Sequence, residues 1–214
     1  MPLFCLKQIR EDLILVIWKI TENEEKLKRG VEIHPSDEKK VGKISHPDKR
    51  NEFFALRQCL KAALGENPEV FYKVSGKPYF KNGPYISFTH TEGFAGVVIS
   101  KIWEVGIDLE IIKPQIARIA PKFIGEKEWN FVDKENLNLQ TAIWGAKEVI
   151  IKIEGNRKLN FRKQLEISPF KLSTKASTLA FCHFNKYKKQ YRINIEKMEN
   201  LMLCYGWHEN LKVW

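Results

Sequence analysis

The sequence predicts an α+β fold built from two similar α/β subdomains that are related by a pseudo-twofold duplication. Each subdomain is expected to contain a strand, a long helix and then a multistranded sheet, because the same order of apolar patterns occurs in both halves. The chain has 214 residues, of which 43% are hydrophobic, so it is long enough for two small cores. No residue-level repeat accompanies the duplication, which is therefore predicted from the order of elements.

In the first half, an apolar, β-branched run predicts a buried strand at residues 13–18. Thr21 and Glu24 form a capping-box pattern, which predicts a short helix that ends near Gly30. A long helix is predicted from residue 45 to residue 65, with a proline near its first turn and apolar residues at helical spacing. Glycine turns then separate three predicted strands, at residues 70–74, 86–89 and 94–99.

The second half repeats this order. It begins with a predicted strand at residues 105–111, which Pro114 stops. Three helices are predicted next, at residues 115–123, 126–132 and 140–154. Four predicted strands follow, at residues 164–171, 178–184, 191–195 and 201–205.

The boundary between the subdomains is predicted at residues 100–104, which divides the chain into residues 1–102 and 103–214. This segment is too short to act as a flexible linker, so we expect the two subdomains to pack closely. A cleft between packed halves is a common ligand site, and we expect the active site there.

The net charge of +10 is spread over both halves and favours anionic partners: nucleic acid, an anionic membrane surface, a polyphosphate ligand or an acidic protein. The longest apolar runs, residues 13–18 and 94–99, are far below the roughly 20 residues of a membrane span. The four cysteines are scattered, as are the histidines, which predicts reduced thiols and no zinc site. The first residues lack the pattern of an export signal, so we expect a cytoplasmic protein.

Two carboxylates alternate with apolar residues in the predicted strand at 105–111. Asp108 and Glu110 are two residues apart and therefore point to the same side of a sheet. The simpler interpretation is the solvated face of a half-buried strand, and for this pair alone we favour it. The same pair also suits Mg²⁺, which takes a few carboxylates together with phosphate oxygens.

The predicted helix at 140–154 carries a second group of charged residues. Trp144, Glu148 and Lys152 fall at successive four-residue steps and share one face. Glu148 and Lys152 could form a surface ion pair without function. Against this, the helix is apolar over most of its circumference, so we expect it to be buried, and its charges then need partners. Together with Asp108 and Glu110, these side chains suit a divalent cation that holds a diphosphate.

These residues also form motifs that resemble a known family. Four segments agree in order and spacing with the motifs of the 4′-phosphopantetheinyl transferases: residues 76–78, 87–91, 106–110 and 144–152. More narrowly, the chain resembles the long, pseudo-dimeric class whose best-known member activates surfactin synthetase. The resemblance covers roughly residues 40–155. Thr89 and Thr91 stand where the family has serines, which keeps the hydroxyl groups but adds bulk.

The resemblance implies a Mg²⁺-dependent transfer of 4′-phosphopantetheine from coenzyme A, the co-substrate, to a serine of an apo carrier protein, with release of adenosine 3′,5′-bisphosphate. It implies Asp108, Glu110 and Glu148 as ligands of Mg²⁺ or Mn²⁺. Glu148, or a metal-bound water that it activates, would be the base. Lys152 would stabilise the phosphate oxygens, so the expected catalytic residues are Asp108, Glu148 and Lys152.

The resemblance also implies a set of residues that contact coenzyme A. Lys147 either belongs to this set or anchors its helix, and His90 is assigned to binding. The expected set is Arg57, Lys77, Thr89, His90, Lys147 and Lys152.

The expected partner is an acidic apo acyl or peptidyl carrier protein, which the net charge of +10 would attract. We expect a monomer, with neither nucleic acid nor a membrane as a partner. One alternative is a basic nucleic-acid-binding protein, supported by the bases and aromatics of residues 186–192, although a charged hairpin explains that segment more simply. Another alternative is a family member that binds coenzyme A or a carrier protein without catalysis.

Overall fold

The computed structural model describes residues 2–184 and 186–208, and the chain divides into two compact units, Met1–Ile102 and Trp103–Trp214. Each unit contains an antiparallel sheet and one helix of 18 residues, which confirms the α+β class. None of the helices in the described ranges combines the length and the apolar character that a bilayer crossing needs.

The sheet of the first unit has four antiparallel strands, and a two-stranded hairpin accompanies it. The strands are β1 (Leu3–Arg10), β2 (Leu13–Lys19), β3 (Phe71–Tyr72), β4 (Pro78–Tyr79), β5 (Tyr85–Thr91) and β6 (Phe94–Ser100). The helices are α1 (Glu24–Lys28), α2 (Pro35–Val41) and α3 (Pro47–Leu64). The sheet order is β1-β2-β6-β5, and α3 packs on it through Cys59 and Leu60, which lie in one core with Val16 and Val97.

The sheet of the second unit has five antiparallel strands. They are β7 (Val105–Ile111), β8 (Leu165–Ile167), β9 (Lys175–His183), β10 (Lys188–Met198) and β11 (Leu201–His208). The helices are α4 (Gln115–Phe123) and α5 (Leu137–Glu154), with a 3-10 turn at Glu128–Asn130 between them. The sheet order is β7-β11-β10-β9-β8, so β7 is an edge strand whose ladder partner is β11.

The two units share a topology. In the first unit, β2 is followed by the long helix α3 and later by β5 and β6, and β6 returns to pair with β2. In the second unit, β7 is followed by the long helix α5 and later by β10 and β11, and β11 returns to pair with β7. The repeated order of elements that the sequence predicts is therefore present in the structure.

Several elements differ from the sequence-based expectation. Helix α1 begins after Asn23, whose side chain accepts a hydrogen bond from the amide of Lys26 at 3.1 Å, so the predicted capping box at Thr21 is wrong. The expected helix at residues 126–132 is only the short 3-10 turn. The sequence also gave no signal for β1, whose Leu3 and Leu6 are exposed, or for the short polar helix α2.

Helix α5 approaches the sheet of its unit through two glycines. A Cβ atom on Gly106 of β7 would collide with the carbonyl oxygen of Val149 in α5. A Cβ atom on Gly145 of α5 would lie 2.8 Å from Cys204 Sγ of β11 and 3.4 Å from Asp108 Oδ2. Both positions therefore require glycine because the helix and the strands are too close for a side chain.

The close approach predicts a specific rescue. Gly145→Ala should lower the free energy of unfolding by about 1–3 kcal/mol, since the new methyl group overpacks the contact with Cys204. Adding Cys204→Ala should restore part of this loss because it removes the colliding sulfur atom. Urea denaturation measures both effects.

The matched control is Cys182→Ala, which removes a buried thiol from the same core without touching Gly145. It should not relieve Gly145→Ala. Equal rescue by the two cysteine variants, or a Gly145→Ala protein as stable as the original, would contradict this packing.

Candidate active site

Asp108 lies in the interior of the second unit. It is only 4% exposed, which excludes the interpretation of Asp108 and Glu110 as a solvated strand face. Its Oδ1 atom accepts a hydrogen bond from Lys152 Nζ at 2.7 Å. Its Oδ2 atom is buried and has no hydrogen-bond partner among the described residues. A buried carboxylate with an unused oxygen is costly, and it is a suitable position for a cation.

Helix α5 is buried on all sides except along one stripe. Between residues 139 and 153, all of which the structure describes, the partly exposed residues are Trp144, Glu148 and Lys152. These are the residues that the sequence places on one face at four-residue steps. The predicted burial of this helix is also confirmed, and its polar stripe is the part of α5 that a ligand could reach.

Glu110 is oriented by an aromatic cluster. The indole Nε1–H of Trp144 donates a hydrogen bond to Glu110 Oε1 at 3.1 Å. The Trp144 ring stacks on Phe161 with centroids 5.1 Å apart and an interplanar angle of 17°, and its contact with Phe123 is edge-on at 5.1 Å. Because the ring is held from two sides, the hydrogen bond holds Glu110 on the same side as the α5 stripe.

The carboxylates of β7 and α5 act on one another electrostatically. Burial, followed by the charge of Asp108, raises the pKa of Glu148 to about 7. Burial and the charge of Asp108 also raise the pKa of Glu110. Burial raises the pKa of the Cys204 thiol, and the charges of Asp108 and Glu110 add to that rise. Lys152 opposes the shifts of both glutamates. The three acidic side chains therefore share one field of excess negative charge, which favours a cation.

The donors fit Mg²⁺ in chemistry but do not form a complete cage. Within residues 2–184 and 186–208, no three acidic, histidine or cysteine side chains converge into a ready-made metal site. Mg²⁺ commonly uses one or two carboxylates and completes its octahedron with water and phosphate oxygens. The unused Oδ2 of Asp108 and the mutual repulsion of the three carboxylates agree with such an incomplete site.

Comparisons with known proteins identify the part of the chain that carries this site. Residues 104–204 match the family model described as the 4′-phosphopantetheinyl transferase superfamily. This range includes β7, α5 and the first half of β11. The part of the chain that carries the site, slightly less than half of its 214 residues, is therefore similar to the 4′-phosphopantetheinyl transferase superfamily.

Individual members of this superfamily resemble the chain over part of their length. The 4′-phosphopantetheinyl transferase AcpT of Salmonella typhi is 30% identical over 115 residues, which cover 50% of this chain and 60% of AcpT. The AcpT of Escherichia coli K12 is 28% identical over 115 residues, with coverages of 50% and 59%. The 4′-phosphopantetheinyl transferase HetI of Nostoc sp. is 24% identical over 161 residues, with coverages of 65% and 68%. The chain thus spans about 60% of the AcpT proteins that it matches.

Lys152 pairs with β7 and not with Glu148, so it does not form the surface ion pair that helical spacing allows. Its ammonium donates to Asp108 Oδ1 and to the carbonyl oxygen of Ile107, both at 2.7 Å. It therefore ties α5 to β7 instead of forming the helical ion pair with Glu148. Its side chain is 26% exposed, so it remains within reach of the open side of the stripe.

Lys147 is placed in the interior, which corrects the expectation that it contacts coenzyme A. Its ammonium is fully buried and donates to Glu128 Oε2 at 2.6 Å and to the carbonyl oxygens of Phe123 and Phe161. These three bonds use all its hydrogens, and burial lowers its pKa. Glu128 in turn accepts hydrogen bonds from the amides of Gly125 and Ile167. Lys147 therefore anchors α5, the alternative that the sequence left open.

Glu128 could not be found from the sequence, because it belongs to no motif and its partner Lys147 is 19 residues away. It lies in the short 3-10 turn and is 1% exposed. A buried carboxylate needs several donors, and only the folded chain shows that these come from α5, the turn and β8.

In the first unit, Arg57 is also placed in the interior. It is fully buried, and its Nε and Nη2 atoms donate to Asp37 Oδ1 at 3.1 and 2.5 Å. Nη2 also reaches the hydroxyl of Tyr72 at 3.3 Å. These contacts correct the expectation that Arg57 contacts coenzyme A, since the pair instead joins α2 and α3 inside the core.

The other predicted residues of the first unit lie at β5 and at the β3–β4 hairpin. Thr89 is 3% exposed, whereas His90 is exposed and its Nδ1 lies 2.9 Å from Glu52 Oε2. Lys77 is half-buried in the hairpin turn, where its carbonyl oxygen accepts a bond from the amide of Lys73. Of the three, His90 has the most accessible side chain, and contact with coenzyme A stays a prediction for each.

The basic segment 186–192 uses its side chains internally. Lys189 and the buried Tyr191 both donate to Glu154, at 2.9 and 2.8 Å. The ammonium of Lys188 lies 3.6 Å from the centroid of the Phe181 ring. The exposed Tyr187 stacks on the Phe184 ring, with centroids 4.7 Å apart. These contacts favour the charged hairpin over a nucleic-acid-binding strip, whose aromatic rings would have to be free to stack on bases.

The buried pair predicts a large loss of stability when one partner is removed. Lys147→Met should lower the free energy of unfolding by about 3–5 kcal/mol, because Glu128 is left as an uncompensated buried charge. Adding Glu128→Gln should recover part of the loss. The control is Lys127→Met, whose side chain is 81% exposed and should change stability by less than about 0.5 kcal/mol. Equal urea midpoints for the two methionine variants would contradict the anchoring role.

The shifted carboxylate predicts a pH dependence of stability. Burial raises the pKa of Glu148 to about 7 in the folded protein, above the ordinary value of 4.5 that applies to the unfolded chain. The folded state therefore binds the extra proton, and stability should fall as the pH rises from 4.5 to 7, by at most about 1.4 kcal/mol per pH unit. Urea denaturation in chelator-treated buffer measures this slope. Glu148→Gln should flatten it, and an unchanged slope in that variant would contradict the shift.

Proposed function

We propose that this protein transfers 4′-phosphopantetheine from coenzyme A to a serine hydroxyl of an apo carrier protein and releases adenosine 3′,5′-bisphosphate. The observation that carries the proposal is that the open stripe of α5 holds Glu148 between Trp144, which bonds Glu110, and Lys152, which bonds Asp108. These residues lie within the range that matches the transferase superfamily.

Glu148 is the proposed proton acceptor. In the reaction, the serine oxygen forms a bond to the β-phosphorus of coenzyme A, and the bond from that phosphorus to the bridging oxygen of the diphosphate breaks. The proton of the serine hydroxyl passes to the Glu148 carboxylate, and the electron pair of the broken bond stays on the departing bisphosphate. Burial of the Glu148 carboxylate favours its protonated form, which suits a proton acceptor.

Asp108, Glu110 and Glu148 are the proposed holders of Mg²⁺ or Mn²⁺. A divalent cation at this position would supply charge stabilisation for the diphosphate. The protein contributes the orientation of the donors: Trp144 holds Glu110, and the Lys147 pair fixes the helix segment that carries Glu148. Lys152 adds a positive charge for the phosphate oxygens.

Contacts with coenzyme A and with the carrier protein extend the proposal. His90, Thr89 and Lys77 are the proposed first-unit contacts, with charge-assisted hydrogen bonds from the lysine to phosphate. The net charge of +10 would steer an acidic carrier protein towards the enzyme.

The two units of similar topology support assignment to the long class of the superfamily, and we propose that the protein acts as a monomer.

Intact-mass spectrometry of an apo acyl carrier protein tests the function. Incubation with this protein, coenzyme A and Mg²⁺ should add the mass of one phosphopantetheine arm, and a chelator should prevent the addition. No mass gain with several carrier proteins, despite measurable coenzyme A binding, would indicate a member that binds without catalysis.

A variant series tests the role of Glu148. Glu148→Gln removes the base and should lower the transfer rate by at least about 100-fold, in line with general base catalysis. Glu126→Gln is the matched control, because this carboxylate is 92% exposed and lies within the same superfamily region. It should transfer at the original rate. A Glu148→Gln protein as active as this control would contradict the assignment.

A further inference from the structure

The two oxygens of Asp108 have different environments. Oδ1 is bonded to the Lys152 ammonium, and Oδ2 is buried without a partner among the described residues. The same ammonium also bonds the carbonyl oxygen of Ile107, on the same strand. Lys152 therefore supplies positive charge to this buried carboxylate.

Lys152 also interacts electrostatically with Glu110 and Glu148. Its charge opposes the rise in the pKa of Glu148 and of Glu110, so one ammonium partly compensates three carboxylates. A divalent cation placed at Asp108 would lie within a few ångströms of this ammonium. Like charges at that distance repel strongly at a partly buried site, so the two cations compete for the same carboxylate.

Lys152 is able to leave this position. Its side chain is 26% exposed and lies on the open stripe of α5, one turn beyond Glu148. A lysine ammonium is a compact charge on a flexible four-carbon stem, so it can turn towards an anion without moving the helix. An approaching diphosphate offers such an anion.

We propose that Lys152 is an exchangeable counter-ion whose release from Asp108 couples the binding of the divalent cation to the binding of the diphosphate. The diphosphate draws the ammonium away, and the cation takes its place at Asp108. The inference rests on the proposed function, because it requires both ligands at this site. Each ligand then raises the affinity for the other by the same factor.

Isothermal titration with Mn²⁺, with and without saturating coenzyme A, measures this coupling. In the original protein, coenzyme A should tighten Mn²⁺ binding by at least about tenfold. Lys152→Met keeps the apolar stem but removes the competing charge, so Mn²⁺ alone should bind more tightly. The coupling factor should fall to the part that direct contact between phosphate and the cation supplies. Lys158→Met, at an exposed position, controls for the change in net charge and should leave the coupling intact.

Lys152→Arg provides a second test if the methionine variant does not fold. A guanidinium binds a carboxylate with two hydrogen bonds, so it should hold Asp108 more firmly than lysine does. Mn²⁺ alone should then bind more weakly than to the original protein. Equal or tighter binding by the arginine variant would overturn the proposal.

The outcomes separate this inference from the proposed function. An original protein that modifies a carrier protein but shows no coupling, or a Lys152→Met protein with unchanged Mn²⁺ affinity, would overturn the counter-ion role alone. An original protein that neither transfers phosphopantetheine nor binds Mn²⁺ in the presence of coenzyme A would overturn both.

Discussion

The close contact of helix α5 with strands β7 and β11 is the constraint on which the site depends. Gly106 and Gly145 lie where the helix and the strands are too close for a side chain. Because of this approach, Asp108 lies in the interior beside the helix, although its strand is an edge of the sheet. A larger separation would let water reach the carboxylates and remove their mutual effect.

Burial then determines the chemistry of the charged groups. An acidic group that is largely removed from water retains its charge only where cations or donors compensate it, and here the compensation is uneven. The Glu128 carboxylate accepts hydrogen bonds from the Lys147 ammonium and from two backbone amides, and its role is to hold the fold together. Asp108, Glu110 and Glu148 share the charge of Lys152, and the buried Oδ2 of Asp108 has no hydrogen-bond partner among the described residues. These three carboxylates form the candidate site. The difference between a structural and a reactive carboxylate is thus the completeness of its partners.

The sequence was sufficient for the parts of this protein that follow from local periodicity. It predicted α3, α5 and β7, the repeated order of elements, and the shared face of Trp144, Glu148 and Lys152, because helical and strand spacing place those side chains directly. It was not sufficient for β1 or α2, whose residues are exposed or polar and carry little periodic signal.

Long-range pairs were also beyond the sequence. The partners of Arg57 and Lys147 lie 20 and 19 residues away along the chain and form no motif with them. Both residues were expected to contact a ligand, and both instead form buried ion pairs inside the protein. A basic residue within a motif has the same appearance in sequence whether its charge faces a ligand or a buried carboxylate. Only the packing of the surrounding elements distinguishes the two cases.

Electron paramagnetic resonance of Mn²⁺ tests most directly whether the three carboxylates form one site. In the presence of coenzyme A, the protein should bind one Mn²⁺ per chain. Each of Asp108→Asn, Glu110→Gln and Glu148→Gln should weaken that binding by about tenfold or more, since each removes one of the charges that share the field. Binding at the original affinity in any one of these variants would contradict a shared metal site.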